Sequence, residues 1–119
     1  MNNPATCAFC TIATGQAPAT VIAEWPDAIA FLPRANATGK RGCTDGHTLV
    51  APRAHVTDFT EDPGVTAAAM ARAAELAARL GGEFNLITSA GAAATQTVFH
   101  LHIHLVPRAA GDGLALPWS

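Results

Sequence analysis

The sequence predicts an α+β domain built on an antiparallel sheet. Three observations lead there. Short apolar runs closed by proline fill the first half of the chain, one stretch of helical periodicity occupies the middle, and an alternating run follows it. Strands, then one helix, then strands again is the order expected of an antiparallel sheet carrying a helix.

Taken in order, the stretch through Pro18 reads as irregular or short-helical. Residues 21–25 end at Pro26 and residues 28–32 end at Pro33, so both read as short strands bounded by turn residues. Residues 34–46, rich in Gly, Asn, Thr and Lys, read as a loop, and residues 47–51 as a third strand closed by Pro52. Asp62-Pro63 has the form of a helix start, with Asp as N-cap and Pro at the first helical position. Val65, Ala69, Ala73, Leu76 and Leu80 then recur at helical spacing, with Arg72, Glu75 and Arg79 on the other side, until Gly81-Gly82 stops the helix. Residues 84–89 read as a fourth strand and residues 90–95 as a small-residue loop. Residues 97–106 alternate His with apolar residues and predict the last strand, ended by Pro107.

The chain has 119 residues, of which 50% are hydrophobic and 13% charged, which suits one domain over residues 1–119 with its own core. A formal net charge of −2 does not suggest a basic nucleic-acid face. No apolar run is long enough to span a membrane, and residues 1–4 do not resemble a signal peptide. Cys7, Cys10 and Cys43 make an odd count, which argues against a disulfide framework and for a reducing, cytoplasmic setting.

The chemistry concentrates in His100-Leu101-His102-Ile103-His104. In a strand, residues two apart project from one face about 7 Å apart, so the three histidines share a face while Leu101, Ile103 and Leu105 bury the other. Two chemistries fit. Neutral imidazoles can share a metal ion, or an imidazole nitrogen can attack phosphorus and form a covalent phosphoramidate. The loop before it, residues 91–97, offers small residues, then an amide at Gln96 and a hydroxyl at Thr97, which suits an anion.

Residues 96–106 resemble the signature of the histidine triad (HIT) proteins, His-φ-His-φ-His-φ-φ with φ apolar, here led by Gln96-Thr97-Val98. Residues 46–55, from Gly46-His47 to Pro52-Arg53-Ala54-His55, resemble that family's Gly-His-φ-φ-φ-φ-Pro-Lys/Arg-x-His stretch, and Cys7 and Cys10 match its N-terminal Cys-x-x-Cys. The resemblance implies a HIT-like fold: an antiparallel sheet, one long helix and a short N-terminal helix, usually in a homodimer. It implies a hydrolase that cleaves a nucleoside monophosphate from a phosphoramidate or dinucleoside polyphosphate. A nucleotidyltransferase of the same superfamily, or a non-catalytic nucleotide-binding module, is the alternative.

Residue by residue, the resemblance makes His102 the nucleophile. His104 and His47 become its supporting histidines, and Thr97 the residue that serves the leaving group. Gln96 and Val98 stand beside the phosphate of a purine nucleotide substrate. Zinc-bearing relatives imply a structural zinc on Cys7, Cys10, His55 and His100, with no catalytic cofactor. Three positions and one loop length depart from the family pattern. Ser89 stands in place of Asn, Thr95 in place of Gly, and Pro33 falls where a ribose-holding Asp or Asn is common, leaving Asn36 as the substitute. The loop over residues 34–46 is also longer. Trp118, near the C-terminus, is expected to stack on a base or on a partner subunit, or equally to pack on the fold itself, and Pro107-Arg108 with Gly111-Asp112 resembles the tail of the dinucleoside-polyphosphate hydrolases.

Overall fold

The computed structural model describes residues 3–118. After a 3-10 turn at Pro4–Thr6, the elements are α1 (Ala8–Ala13), β1 (Val21–Glu24), β2 (Ala28–Phe31), β3 (Thr48–Pro52), α2 (Pro63–Leu80), β4 (Glu83–Ile87) and β5 (Ile103–Arg108). The strands form one five-stranded sheet in the order β1-β2-β3-β5-β4. Every neighbouring pair is antiparallel. The predicted α+β class, long helix and short N-terminal helix are all present.

β2 and β3 lie inside the sheet and are buried along their whole length, which is why their sequences are apolar but for the buried Thr48. Alternation sorts their side chains between two faces. Ala28, Ala30 and Val50 join Ile103 and Leu105 of β5 under Ala69, Ala73 and Leu76 of α2. Ile29, Phe31, Leu49 and Ala51 form the opposite face, covered by Phe9 of α1.

α2 begins as predicted: the Asp62 carboxylate accepts from the Gly64 and Val65 backbone N–H groups. It ends at Gly81, whose φ of 72° suits a residue without Cβ. Arg72, Glu75 and Arg79 form the expected ion pairs along its outer side. Leu80 departs from the predicted apolar stripe. It is 54% exposed, because the helix has run past the end of the core by its last residue.

The last strand is shorter at its start than predicted. The alternation of buried and half-buried side chains runs through Leu101–Leu105, yet the ladder begins only at Ile103. Two groups take the place of ladder partners. Leu101 N–H donates to the Val56 carbonyl, and the Thr88 hydroxyl donates to the His102 carbonyl at 2.7 Å. β3 stops pairing with β5 after Val50 opposite Ile103, and Pro52, two residues on, has no N–H to offer. Nor does Pro107 end the strand. It pairs with Phe84 of β4 and lies beyond the last β3 partner, Thr48 opposite Leu105, so no second donor is required of it.

Candidate active site and metal centre

The Cys-x-x-Cys run is folded by its own first helical turn. Cys7 is the N-cap of α1, and its Sγ accepts the Cys10 N–H at 3.4 Å, which points both sulfurs to one side. There they meet two imidazoles. Cys7 Sγ lies 3.4 Å from His100 Nδ1. Cys10 Sγ lies 3.2 Å from His55 Nδ1 and 3.5 Å from His100 Nδ1. The two Nδ1 atoms are 3.3 Å apart, and all four ligand atoms fall within 4.8 Å of one another. A tetrahedron with ordinary zinc bond lengths has S–N edges of about 3.5 Å and N–N edges of about 3.3 Å. The donor set therefore matches a closed Cys2His2 site in both type and spacing.

The surroundings of the two histidines agree with that fit. His100 is 0% exposed, and its Nε2–H donates to the Pro52 carbonyl at 2.8 Å, leaving the Nδ1 lone pair toward the sulfurs. His55 Nε2 is buried with no hydrogen-bond partner among the described residues, so what Nδ1 binds is the return for burying that ring. Without a cation, burial and the adjacent Cys7 push the Cys10 thiol up to about 11. A divalent ion reverses that preference by binding the thiolate.

His102 and His104 turn to a different space. His102 Nδ1–H donates to the carbonyl of His100 at 2.7 Å. That bond selects one neutral tautomer and leaves the Nε2 lone pair without a hydrogen bond among the described residues. Burial lowers the pKa of His102, opposed by the same backbone bond. The neighbouring ring, His104, lies 5.0 Å away between centroids. Its proton is set by a relay: the Cys43 backbone N–H donates to His47 Nδ1 at 3.1 Å, so His47 carries its proton on Nε2 and donates to His104 Nδ1 at 3.0 Å. His104 must then hold its own proton on Nε2. One ring ends in a lone pair and the next in a donor, which is the pair of functions that nucleophilic attack at an anionic phosphorus needs.

Burial, then the charges of His102 and His47, pulls the pKa of His104 from 6.5 down to about 4. The unfolded chain therefore takes up this proton first as pH falls. Stability from His104 is full above about 6.5 and is lost as pH drops toward 4, a difference of ~3 kcal/mol. Urea unfolding of the wild type should show this loss, and His104→Asn should flatten the profile over that window. An unchanged slope in the variant would count against the buried neutral ring.

His47, His102 and His104 line a cleft of about 970 Å3 together with Thr97 and Val98, a size suited to a small ligand. Its floor is apolar: Phe9 stands edge-on to His102 at 4.9 Å and to Phe31 at 5.2 Å. No Asp or Glu lines it. Thr97 is exposed at this cleft, and a second hollow of about 430 Å3 opens on its other side, against Asn3, Thr6 and Phe99.

Other residues singled out in the sequence stand elsewhere. Gln96 is buried, and its side chain is spent inside the protein: Oε1 accepts the Gly91 N–H, while Nε2 donates to the Thr57 and Val98 carbonyls. It shapes the loop that presents Thr97 and Val98, and it does not line the cleft. Thr95 in the same loop takes a φ of 73°, a left-handed conformation that costs a β-branched residue roughly 1–2 kcal/mol. Ser89 is half-buried and outside the cleft. Asn36 is also outside it, its Oδ1 closing a turn on Thr38 and Lys40. Trp118 is 80% exposed and touches neither hollow. Arg108 and Asp112 form a bidentate pair with bonds of 2.7 and 3.1 Å that pins the C-terminal segment.

Several residues at the site carried no sequence signal. Phe9, Thr88 and the Cys43 N–H support His102 and His104 from distant parts of the chain. Arg34 and Arg41, which line the cleft, belong to a basic segment that the charge pattern of residues 34–41 could have flagged.

Comparison with known proteins places these features in a group. The HIT domain model matches residues 14–111. An uncharacterized HIT-like protein of Mycobacterium tuberculosis is 39% identical over 117 residues, 92% of this chain and 76% of its own length. An adenylylsulfatase of Arabidopsis thaliana is 32% identical over 114 residues, 91% of this chain and 55% of its own length. A Zn-bound histidine triad family protein from Mycobacterium smegmatis superposes with a TM-score of 0.76 at 39% identity, covering 95% of this chain and 82% of that one.

Proposed function

Since the chain belongs to the HIT domain family, we propose that it cleaves a nucleoside monophosphate, in the first instance from a purine nucleotide, through a covalent intermediate on His102. The observation that carries this reading is the bond from His102 Nδ1–H to the His100 carbonyl, with Nε2 left open on the cleft. The Nε2 lone pair attacks the α-phosphorus, a P–N bond forms, and the bond to the leaving group breaks. The Nε2–H of His104 donates to a phosphoryl oxygen as charge builds there. Thr97, which lines the same cleft, hands a proton to the leaving group. Water then attacks the same phosphorus, the P–N bond breaks, and the water's proton replaces the one that departed. An acceptor other than water would make the same intermediate a transferase.

The test is intact-protein mass spectrometry after a rapid, acid-free quench with an adenosine 5′-phosphoramidate or a diadenosine polyphosphate. An AMP-sized adduct with parallel AMP release is expected. A non-catalytic nucleotide-binding module is the second reading, favoured by the internal commitment of Gln96 and by Ser89 standing outside the cleft. Tight AMP binding with neither adduct nor release would establish that alternative.

Gly42 offers a check on the supporting relay. A Cβ on Gly42 would overlap the His47 imidazole, and φ is +73° there. Gly42→Ala should displace His47, leave His104 without its fixed tautomer, and lower kcat by about 10²-fold. Unchanged kcat would remove His47 from the proposal.

The proposal includes a structural zinc on Cys7, Cys10, His55 and His100. The donor geometry supports it, as does the Zn-bound relative from Mycobacterium smegmatis. The ion would tie α1 to the His100 segment and take no part in bond making. A homodimer is also proposed, and sedimentation velocity would test it; Leu80, Leu86 and Ile87 are exposed apolar side chains suited to such an interface.

A further inference from the structure

Of the seven Lys and Arg residues, Arg53, Arg72, Arg79 and Arg108 are held in ion pairs with carboxylates. Arg34, Lys40 and Arg41 have no such pair among the described residues. The three lie together on the loop after β2, and Arg34 and Arg41 line the cleft. Asp45, on the same loop, does not line it. In a chain of net charge −2, this leaves one cleft wall cationic and unneutralised.

That wall is braced. Arg41 Nη1 donates to the Pro33 carbonyl at 3.0 Å, Ala35 and Arg41 form a bridge, and the Asn36 side chain closes the turn between them. Its place relative to His104 follows from the sheet register. Phe31 of β2 pairs with Leu49 of β3, and Leu49 pairs with His104 of β5. The end of β2 therefore lies two strand spacings, about 10 Å, from the His104 row. Arg34 and Arg41 line the cleft with Phe31 and Leu32, on the β2 side of the histidine row. Vicinal sugar hydroxyls are donors that a carboxylate would hold, and no carboxylate lines the cleft. Guanidinium groups instead match the oxygens of a phosphate.

We infer that Arg34 and Arg41 form a second anion subsite, which selects nucleotides carrying a phosphate in addition to the reacting one. This rests on the reading that a nucleotide occupies the cleft with its reacting phosphate at His102. Because the wall lies across the sheet from the histidines, the additional phosphate is placed on the sugar.

Calorimetric titration tests the subsite without requiring turnover. AMP, adenosine 3′,5′-bisphosphate and ADP are titrated into the wild type, Arg34→Gln, Arg41→Gln and the double variant. The bisphosphate is expected to bind the wild type about tenfold more tightly than AMP, and that ratio should fall toward one in the double variant. Arg34 is exposed and its side chain makes no bond to the rest of the fold among the described residues, so Arg34→Gln reports on the subsite even where Arg41→Gln perturbs the loop. An arginine-dependent gain for ADP in place of the bisphosphate would keep the anion subsite but move its phosphate onto the chain. Equal wild-type affinity for all three ligands, or an equal loss for AMP and the bisphosphate in the variants, overturns the subsite and leaves the functional reading intact. No binding of any of the three overturns both.

Discussion

Replacing His102 with alanine should lower AMP release by roughly 10⁴-fold or more, the scale seen when a covalent nucleophile is removed from an otherwise intact site. The ring has one nitrogen committed to the His100 carbonyl and the other open to the cleft. No neighbour can take over that position. His104 presents a donor there, because the relay from the Cys43 N–H through His47 holds its lone pair inward. Nucleotide affinity should change little by comparison, since the floor of the cleft is made by Phe9, Phe31 and Leu49. The comparison to make is kcat for release with Kd for AMP in the two proteins. Full turnover in His102→Ala would end the covalent proposal, and a loss of binding equal to the loss of rate would turn His102 into a binding residue.

Removing the metal should have the larger effect on stability. Structural zinc in small domains contributes on the order of 10 kcal/mol of apparent binding energy, so chelation at neutral pH is expected to lower Tm by ~10 °C or more. The four proposed ligands come from α1 and its N-cap, the segment after β3 and the start of the histidine run, and Cys7, Cys10, His55 and His100 meet at one point. Loss of the proposed ion would leave one buried and one half-buried imidazole and two thiols facing one another. α1 is then held by Phe9 and by the bond from Arg53 to the Ala13 carbonyl. Phe9 also packs on His102, so activity should fall with the metal. Elemental analysis should find one zinc per chain, and Cys10→Ser should reproduce the chelator's effect without chelator. A metal-free protein with unchanged Tm in Cys10→Ser would rule the site out.

The elements that could be read along the chain are those specified by local chemistry. α2 carries its own N-cap at Asp62, its stop at Gly81 and a face of Ala69, Ala73 and Leu76, so its limits follow from the residues themselves. The same holds for β2 and β3, whose largely apolar runs lie between turn residues and prolines. β5 was harder, because a strand ends where its partner stops offering groups. Pro52 in β3 and the hydroxyl of Thr88 decide that, and neither lies near it in sequence.

The site divides in the same way. Spacing alone determined that His100, His102 and His104 would alternate with a buried apolar row, while Cys7 and Cys10 stood out through the family's Cys-x-x-Cys. The motifs around them identified the family. Tertiary structure decided what each ring does. Pro52 O turns the lone pair of His100 toward the sulfurs, His100 O turns that of His102 toward the cleft, and the Cys43 N–H sets His47 and His104. It also decided that Gln96 would be spent on carbonyls of the protein, and that Arg34 and Arg41 would stand where no carboxylate does. An imidazole's function depends on which nitrogen holds the proton, and that choice is made by hydrogen-bond partners that only folding brings within reach.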